Sequence, residues 1–139
     1  MIDGIRGTGN WSGGAWQGYQ GQDLVAVIDL GKIQNISRVG AGFLQDVGSW
    51  IWMPRSVDFE TSLDGRNFVP AVTVANNVAD GSDPSAAVDG VAVRDFVKRI
   101  PLQKARYVRI RAHNYGKIPA WHPGKGGDAW IFADEIIVE

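Results

Sequence analysis

Cysteine is absent from the chain. Disulfides, thiolate nucleophiles and cysteine-bound zinc are therefore excluded together. Histidine is scarce. The two present, His113 and His122, are separated by a proline-containing loop, a spacing that matches no helical zinc motif. Neither sign of charge is in excess: 14 basic residues face 15 acidic ones, for a net charge of -1. That balance gives no electrostatic case for nucleic acid or an anionic membrane as partner. No apolar run is long enough to span a bilayer, so membrane insertion is not expected. The opening "MIDGIRGTGNW" lacks the apolar stretch of a signal peptide. A methionine directly before "IDG" suggests a piece of a longer protein, with any export signal outside it. The length suits one domain with a real core.

Glycine (18) and tryptophan (6) are plentiful. The first implies many tight turns, the second a large aromatic core or an aromatic contact surface. The first twenty-odd residues form a glycine-rich loop anchored by Trp11, Trp16 and Tyr19. In "DLVAVIDLG", Leu24, Ala26, Ile28 and Leu30 fall on one strand face. Val25 and Val27 make the other face apolar, so partial cover is expected there, and Gly31 ends the strand. The next strand presents Ile36, Val39, Ala41 and Phe43. Val57, Phe59, Thr61 and Leu63 alternate with polar residues up to Asp64-Gly65, which accept positive φ, and a new strand starts at Phe68. A polar, turn-rich loop over 76–90 leads to two further strands, the second with Val108, Ile110 and Ala112 inward. "WIFADEIIVE" closes the chain. No helical period is visible. About seven or eight short strands with glycine-rich turns mean an all-β, antiparallel sandwich or barrel.

Catalytic signals are missing. Many acidic residues sit in turns such as "LDG", "ADG" and "VDG", where Asp serves turn chemistry, and nothing marks the facing carboxylate pair of a glycosidase. "GNWSGG" is no nucleophile elbow, because Asn10 takes the place of the first glycine. "HPGKGGD" lacks the spacing and ending of a phosphate loop. An independent active site is not expected.

The elements in order resemble a known family. "IDLGKIQNISRVGAGFLQD", "PRSVDFETSLDGRNF" and "ARYVRIRA" are similar to strands of the discoidin, or coagulation-factor type C, domain; "IDG" and "ADEIIV" match its two ends. "WQGYQGQDLVAVIDLG", "FLQDVGSWIWMPRSVDFETSLDG" and "GKIPAWHPGKGGDAWIFADEI" together resemble the discoidin-like module appended to bacterial family 20 glycoside hydrolases, exo-acting β-N-acetylhexosaminidases also called chitobiases. That module is similar to carbohydrate-binding module family 32. The resemblance implies a jelly-roll β-sandwich, secretion to the cell surface or periplasm, sugar binding by loops at one end, and often a structural calcium ion.

The residues nominate a site. A sugar offers an apolar C–H face to an aromatic ring, while its hydroxyls need polar partners. Trp121, between Pro119 and Pro123, is the first candidate platform, with Trp50 or Trp16 second. His122, Asn114 and Arg111 are candidate hydrogen-bonding residues, His122 as a donor to a sugar hydroxyl. Trp50 and Trp52 flank Ile51 and would share a face in an extended chain, one or both packing as core; Trp130 reads as core. For calcium, Asp3 and Glu135 lie in the first and last segments, which can meet in a sandwich, and Thr8 is a candidate by family position. Ile5 stands where the family commonly has a second polar residue. The alternative is a capping role for Asp3 and an arginine partner for Glu135. The expected function is glycan binding (galactose or N-acetylhexosamine type) without catalysis. The rival is a structural domain that packs against a catalytic domain through the same aromatic loops.

Overall fold

A computed structural model describes residues 6–7, 11, 16–76 and 91–139. Asp3, Thr8, Asn10 and all but the first residue of the expected 76–90 loop lie outside these described residues. Six strands are present among them: β1 (Gln17–Gln20), β2 (Leu24–Asp46), β3 (Ser56–Ser62), β4 (Val69–Ala75), β5 (Val91–Ala112) and β6 (Trp130–Val138). All pairings are antiparallel, in the order β1-β6-β2-β5-β3-β4.

Two of the strands are far longer than the sequence pattern implies. β2 and β5 pair almost end to end, from Leu24 opposite Ala112 to Asp46 opposite Val91. Register shifts between Asp29 and Gln34, and between Ile36 and Arg38, interrupt this ribbon in its middle. Such irregularities bend a strand and increase its twist. Gly31 therefore marks the bend rather than ending the strand. One end of the ribbon takes on β3 and then β4, through 107–112 of β5; the other takes on β6 and then β1, through 39–44 of β2. The two ends are thus the centres of two layers. Leu24, Val57, Phe59, Val108 and Ile110 of one layer share a single core with Val39, Ala41, Phe43, Phe96, Ile131 and Ala133 of the other. Phe43 and Phe96 meet edge to face at 5.2 Å. Each large apolar side chain of this core contributes about 1.5–3 kcal/mol by leaving water. The result is the antiparallel β-sandwich that the alternating pattern calls for.

The 62–68 turn follows its sequence. Gly65 has φ 78°, Ser62 Oγ accepts the Asp64 and Gly65 N–H groups, and Asp64 Oδ1 accepts those of Arg66 and Asn67 at 2.8 and 2.9 Å. Those two backbone donors, Asn67 first, hold the Asp64 carboxyl far below the ordinary carboxylate range.

The outer faces differ. On the second layer, residues that precede β1 lie against the sheet. Trp16 is buried with Leu44 and Ile51, next to Val93, Trp130 and Phe132. Asp134, also buried, accepts Arg6 Nε and the Gly7 N–H, both at 2.9 Å, and Arg6 also pairs with Asp95. β6 carries one extra residue between Ala133 and Ile136 relative to β2, so both of these stay on the core side. The Phe132 ring lies over Gly18 of β1, where a Cβ would sit 1.8 Å from it. On the first layer the outer face is open and charged. Arg109 pairs with Glu60 at 2.6 Å, and His113 Nε2 stands 2.6 Å from Asp58 Oδ2. Val25 and Val27 are half-exposed, so their face is only partly covered.

Candidate functional site

Two loops meet beyond the ends of β2 and β5. In the first, a short 3-10 turn (Val47–Ser49) brings the chain to Trp50, which has φ 67°. A bulky residue in the left-handed region is uncommon and costs on the order of 1–3 kcal/mol, so its surroundings must impose it. They do: Trp50 N–H donates to Val47 O at 3.1 Å, Trp50 O accepts Trp130 N–H at 2.9 Å, and Asp46 and Ile51 exchange two 3.0 Å backbone bonds. The chain is therefore not extended at Trp50, and Trp50 and Trp52 part company. Trp52 is fully buried, whereas Trp50 is 41% exposed.

The second loop spans 113–129. Lys117 and Asp128 close its neck by a β-bridge and a 2.6 Å ion pair. Inside it, Ile118 N–H donates to Gly127 O, His122 N–H to Pro119 O and Lys125 N–H to His122 O. With Ile118 buried beneath, the segment is folded upon itself.

Trp52 is the pedestal on which both loops rest. Tyr115 stacks on it at 5.3 Å, and His122 and Trp121 meet it edge to face at 5.2 and 6.4 Å. Arg55 lies 4.6 Å from the Tyr115 ring centre and donates from Nε to Tyr115 O at 2.6 Å. His122 is only 7% exposed. Its Nδ1 accepts the Gly124 N–H at 2.9 Å, so the ring proton sits on Nε2 and is donated to Val47 O at 2.8 Å. The histidine thus ties one loop to the other. Around it stand Trp50 at 6.5 Å and Trp121 at 5.7 Å, both near perpendicular to its ring. Trp121 is 48% exposed. A Cβ on Gly124 would lie 2.8 Å from the Trp50 ring, so a glycine there lets the indole rest against the loop. Both indoles thus meet one buried imidazole. Ser49 and Asp46, joined by a 3.0 Å hydrogen bond, and the exposed Lys125 supply polar groups beside them.

The residues nominated from sequence separate into groups. Trp121 and Trp50 come together with ring surface exposed. His122 joins them, but both its nitrogens are engaged, which corrects the expectation that it donates to a sugar. Trp16 is buried against Leu44 and Ile51 and offers no platform. Asn114 is consumed by the fold: Nδ2 donates to Gln22 O and Ala129 O, both at 3.1 Å, and Oδ1 accepts Gly116 N–H at 2.8 Å. Arg111 stands on the open sheet face opposite Val25 and Asp58. Glu135 is buried in β6. Among the described residues no three His, Asp or Glu gather as a metal site, and Asp3 and Thr8 lie outside them. Sequence reasoning passed over Trp11 as a site residue, Trp52 as pedestal, and Asp134; the adjacent acids in "FADEI" were the visible signal for the last. Among the described residues no helix is long and apolar enough to cross a membrane.

Solved structures share this architecture. One is CBM32-3 from a family 31 glycoside hydrolase of Clostridium perfringens, 17% identical, covering 88% of this chain and 70% of its own, with a TM-score of 0.55. Another is CpGH89CBM32-5 from Clostridium perfringens, solved in complex with GalNAc-β-1,3-galactose, 17% identical over 91% of this chain and 78% of that one, TM-score 0.52. A third is chitosan-binding module 1 of a chitosanase/glucanase from Paenibacillus sp. IK-5, solved as a selenomethionine-labelled point mutant, 16% identical over 91% and 77%, TM-score 0.53. At such identities the likeness is one of fold. No curated protein matches the chain. The family model of the F5/8 type C domain matches residues 1–127, which is most of the sequence. The chain belongs to the F5/8 type C, or discoidin, domain family.

Proposed function

We propose that this chain is a noncatalytic carbohydrate-binding module of a bacterial, exo-acting β-N-acetylhexosaminidase-type glycoside hydrolase, acting outside the cytoplasm. It holds the enzyme near glycans that carry galactose or N-acetylhexosamine. The observation that carries this reading is the pair of half-exposed indoles, Trp121 and Trp50, braced on the buried His122 at one end of the sandwich. An indole held rigid costs little entropy on binding and presents a flat apolar face to the C–H side of a pyranose. Carbohydrate-binding neighbours of the same fold, one of them holding a galactose-containing disaccharide, support it. A shallow platform with few polar groups predicts weak binding. Titration of a glycan panel, followed by tryptophan fluorescence, tests the reading: a saturable change with galactose- or N-acetylhexosamine-bearing sugars is expected. A panel without response, together with loss of stability of the hydrolase when the module is removed, overturns it in favour of a domain that packs on its catalytic partner.

Calcium belongs to the same proposal. Asp3, Thr8 and Glu135, with backbone carbonyls of the N-terminal segment, would supply hard oxygen ligands of the type calcium takes. In support, Glu135 is a buried carboxylate, and its neighbour Asp134 holds Arg6 and Gly7 against β6. The ion would join the chain's two ends. Chelation is expected to lower the melting temperature, and Glu135→Gln to abolish that response.

A further inference from the structure

We propose that the aromatic platform continues into a further subsite at Trp11, so that the module recognises a run of linked sugar rings rather than a single terminal one. This rests on the platform reading and extends it. Beside Trp50 lies a cleft of about 180 Å³ lined by Trp11, Ser49, Ile51, Trp130 and Phe132. It is smaller than pockets for drug-sized ligands, roughly 300–1,000 Å³, and so is scaled to one ring. Trp11 is 46% exposed and lies nearly parallel to Phe132, at 14° and 6.0 Å; Trp130 flanks Phe132 at 5.7 Å. The Trp11 Nε1–H donates to Ser49 Oγ at 3.2 Å, and the Ser49 hydroxyl donates to Asp46 Oδ2 at 3.0 Å. Flat aromatic walls with a hydroxyl and a carboxylate beside them are the chemistry that recognises a pyranose: apolar face inward, hydroxyls to the polar edge.

Continuity with the platform decides the occupant. Ser49 lines the cleft and is followed directly by Trp50. Trp130, on the cleft wall, donates its backbone N–H to Trp50 O and accepts from Trp52 N–H. Trp11, Trp50 and Trp121 are therefore three half-exposed indoles linked through Ser49 and His122 on one backbone frame. A glycan chain seated on Trp121 and Trp50 would place a further ring at Trp11.

The test is calorimetric titration with two probe series, β-1,4-linked N-acetylglucosamine and β-1,4-linked galactose, each from the monosaccharide to the hexasaccharide. In the wild-type protein, affinity is expected to rise with chain length in one of the series. Trp11→Ala is expected to remove that rise, about tenfold for the longest probe, and to leave the monosaccharide unchanged. Trp11→Phe, which keeps an aromatic wall, is expected to retain most of the rise, and guards against misreading an unfolded Trp11→Ala. Length-independent binding in the wild type, or an equal loss at every length in a folded Trp11→Ala, overturns the subsite and leaves the platform standing. Absence of wild-type binding to every member of both series overturns the platform reading and the subsite with it.

Discussion

The two outer faces of the sandwich are built on the same two strands, yet they end with opposite characters. Over 107–112, β5 turns Arg109 and Arg111 outward, beside Asp58 and Glu60 of β3. Arg109 pairs with Glu60 and Asp58 with His113, and the face stays in contact with water. Over 91–97, the same strand turns Val93, Asp95 and Val97 outward, beside Gly40, Gly42 and Leu44 of β2 and Phe132 of β6. That face cannot be left to solvent, and Arg6, Trp11 and Trp16 lie over it. The aromatic site lies where this covered face meets the loop end. The charged residues of the first layer keep their face in water, with Val25 and Val27 half-exposed among them, whereas the glycines, Leu44 and Phe132 of the second layer carry another layer over them.

The largest predicted break in this picture is on the buried side. Trp52→Ala removes the pedestal under both loops and is expected to cost about 3–5 kcal/mol in urea unfolding. Asp134→Ala is next. It strips a buried acceptor from Arg6 and the Gly7 N–H and is expected to cost about 2–4 kcal/mol, with Trp16 emission shifting red as its surroundings loosen. On the open face the effects shrink. Glu60→Gln, which removes the charge paired with Arg109, is expected to change stability by no more than about 1 kcal/mol, less still at high salt. A loss there equal to that of Asp134→Ala would erase the contrast between the faces.

Acid sharpens the same comparison. The hydrogen bond to His113, and then that from Thr73, hold the Asp58 carboxyl below its ordinary value of 3.8. A depressed carboxyl adds stability above its unfolded pKa and loses it as pH falls through the folded one. The wild-type protein is therefore expected to lose this contribution only below about pH 4, and Asp58→Asn to flatten that limb in melts recorded from about pH 5 to about pH 2.

Much of the fold was legible in the sequence. Val39, Ala41 and Phe43, Val57 and Phe59, and Val108, Ile110 and Ala112 alternate as strands do, and all are buried, as is Ile36. The continuity of β2 and β5 was not legible, because a glycine at a bend and a glycine at a strand end look alike along the chain. The separation of Trp50 from Trp52 was hidden for a related reason. The left-handed turn at Trp50 is imposed by hydrogen bonds to Val47 and Trp130, not by a local glycine. The candidate site was half legible: prolines on either side of Trp121 marked it as a candidate platform, but the spacing did not reveal that His122 braces the loops, nor that Trp11 reaches across to Ser49.

In the proposed division of labour, the half-exposed indoles Trp121 and Trp50 bind sugar while Trp52, Tyr115 and His122 beneath them serve the fold. Isothermal titration of wild type and Trp121→Ala with the preferred glycan, paired with thermal melts of both proteins, tests it most directly. Trp121→Ala is expected to lose at least about tenfold in affinity while its melting temperature stays within a few degrees of wild type. Unchanged affinity in a folded Trp121→Ala would contradict it.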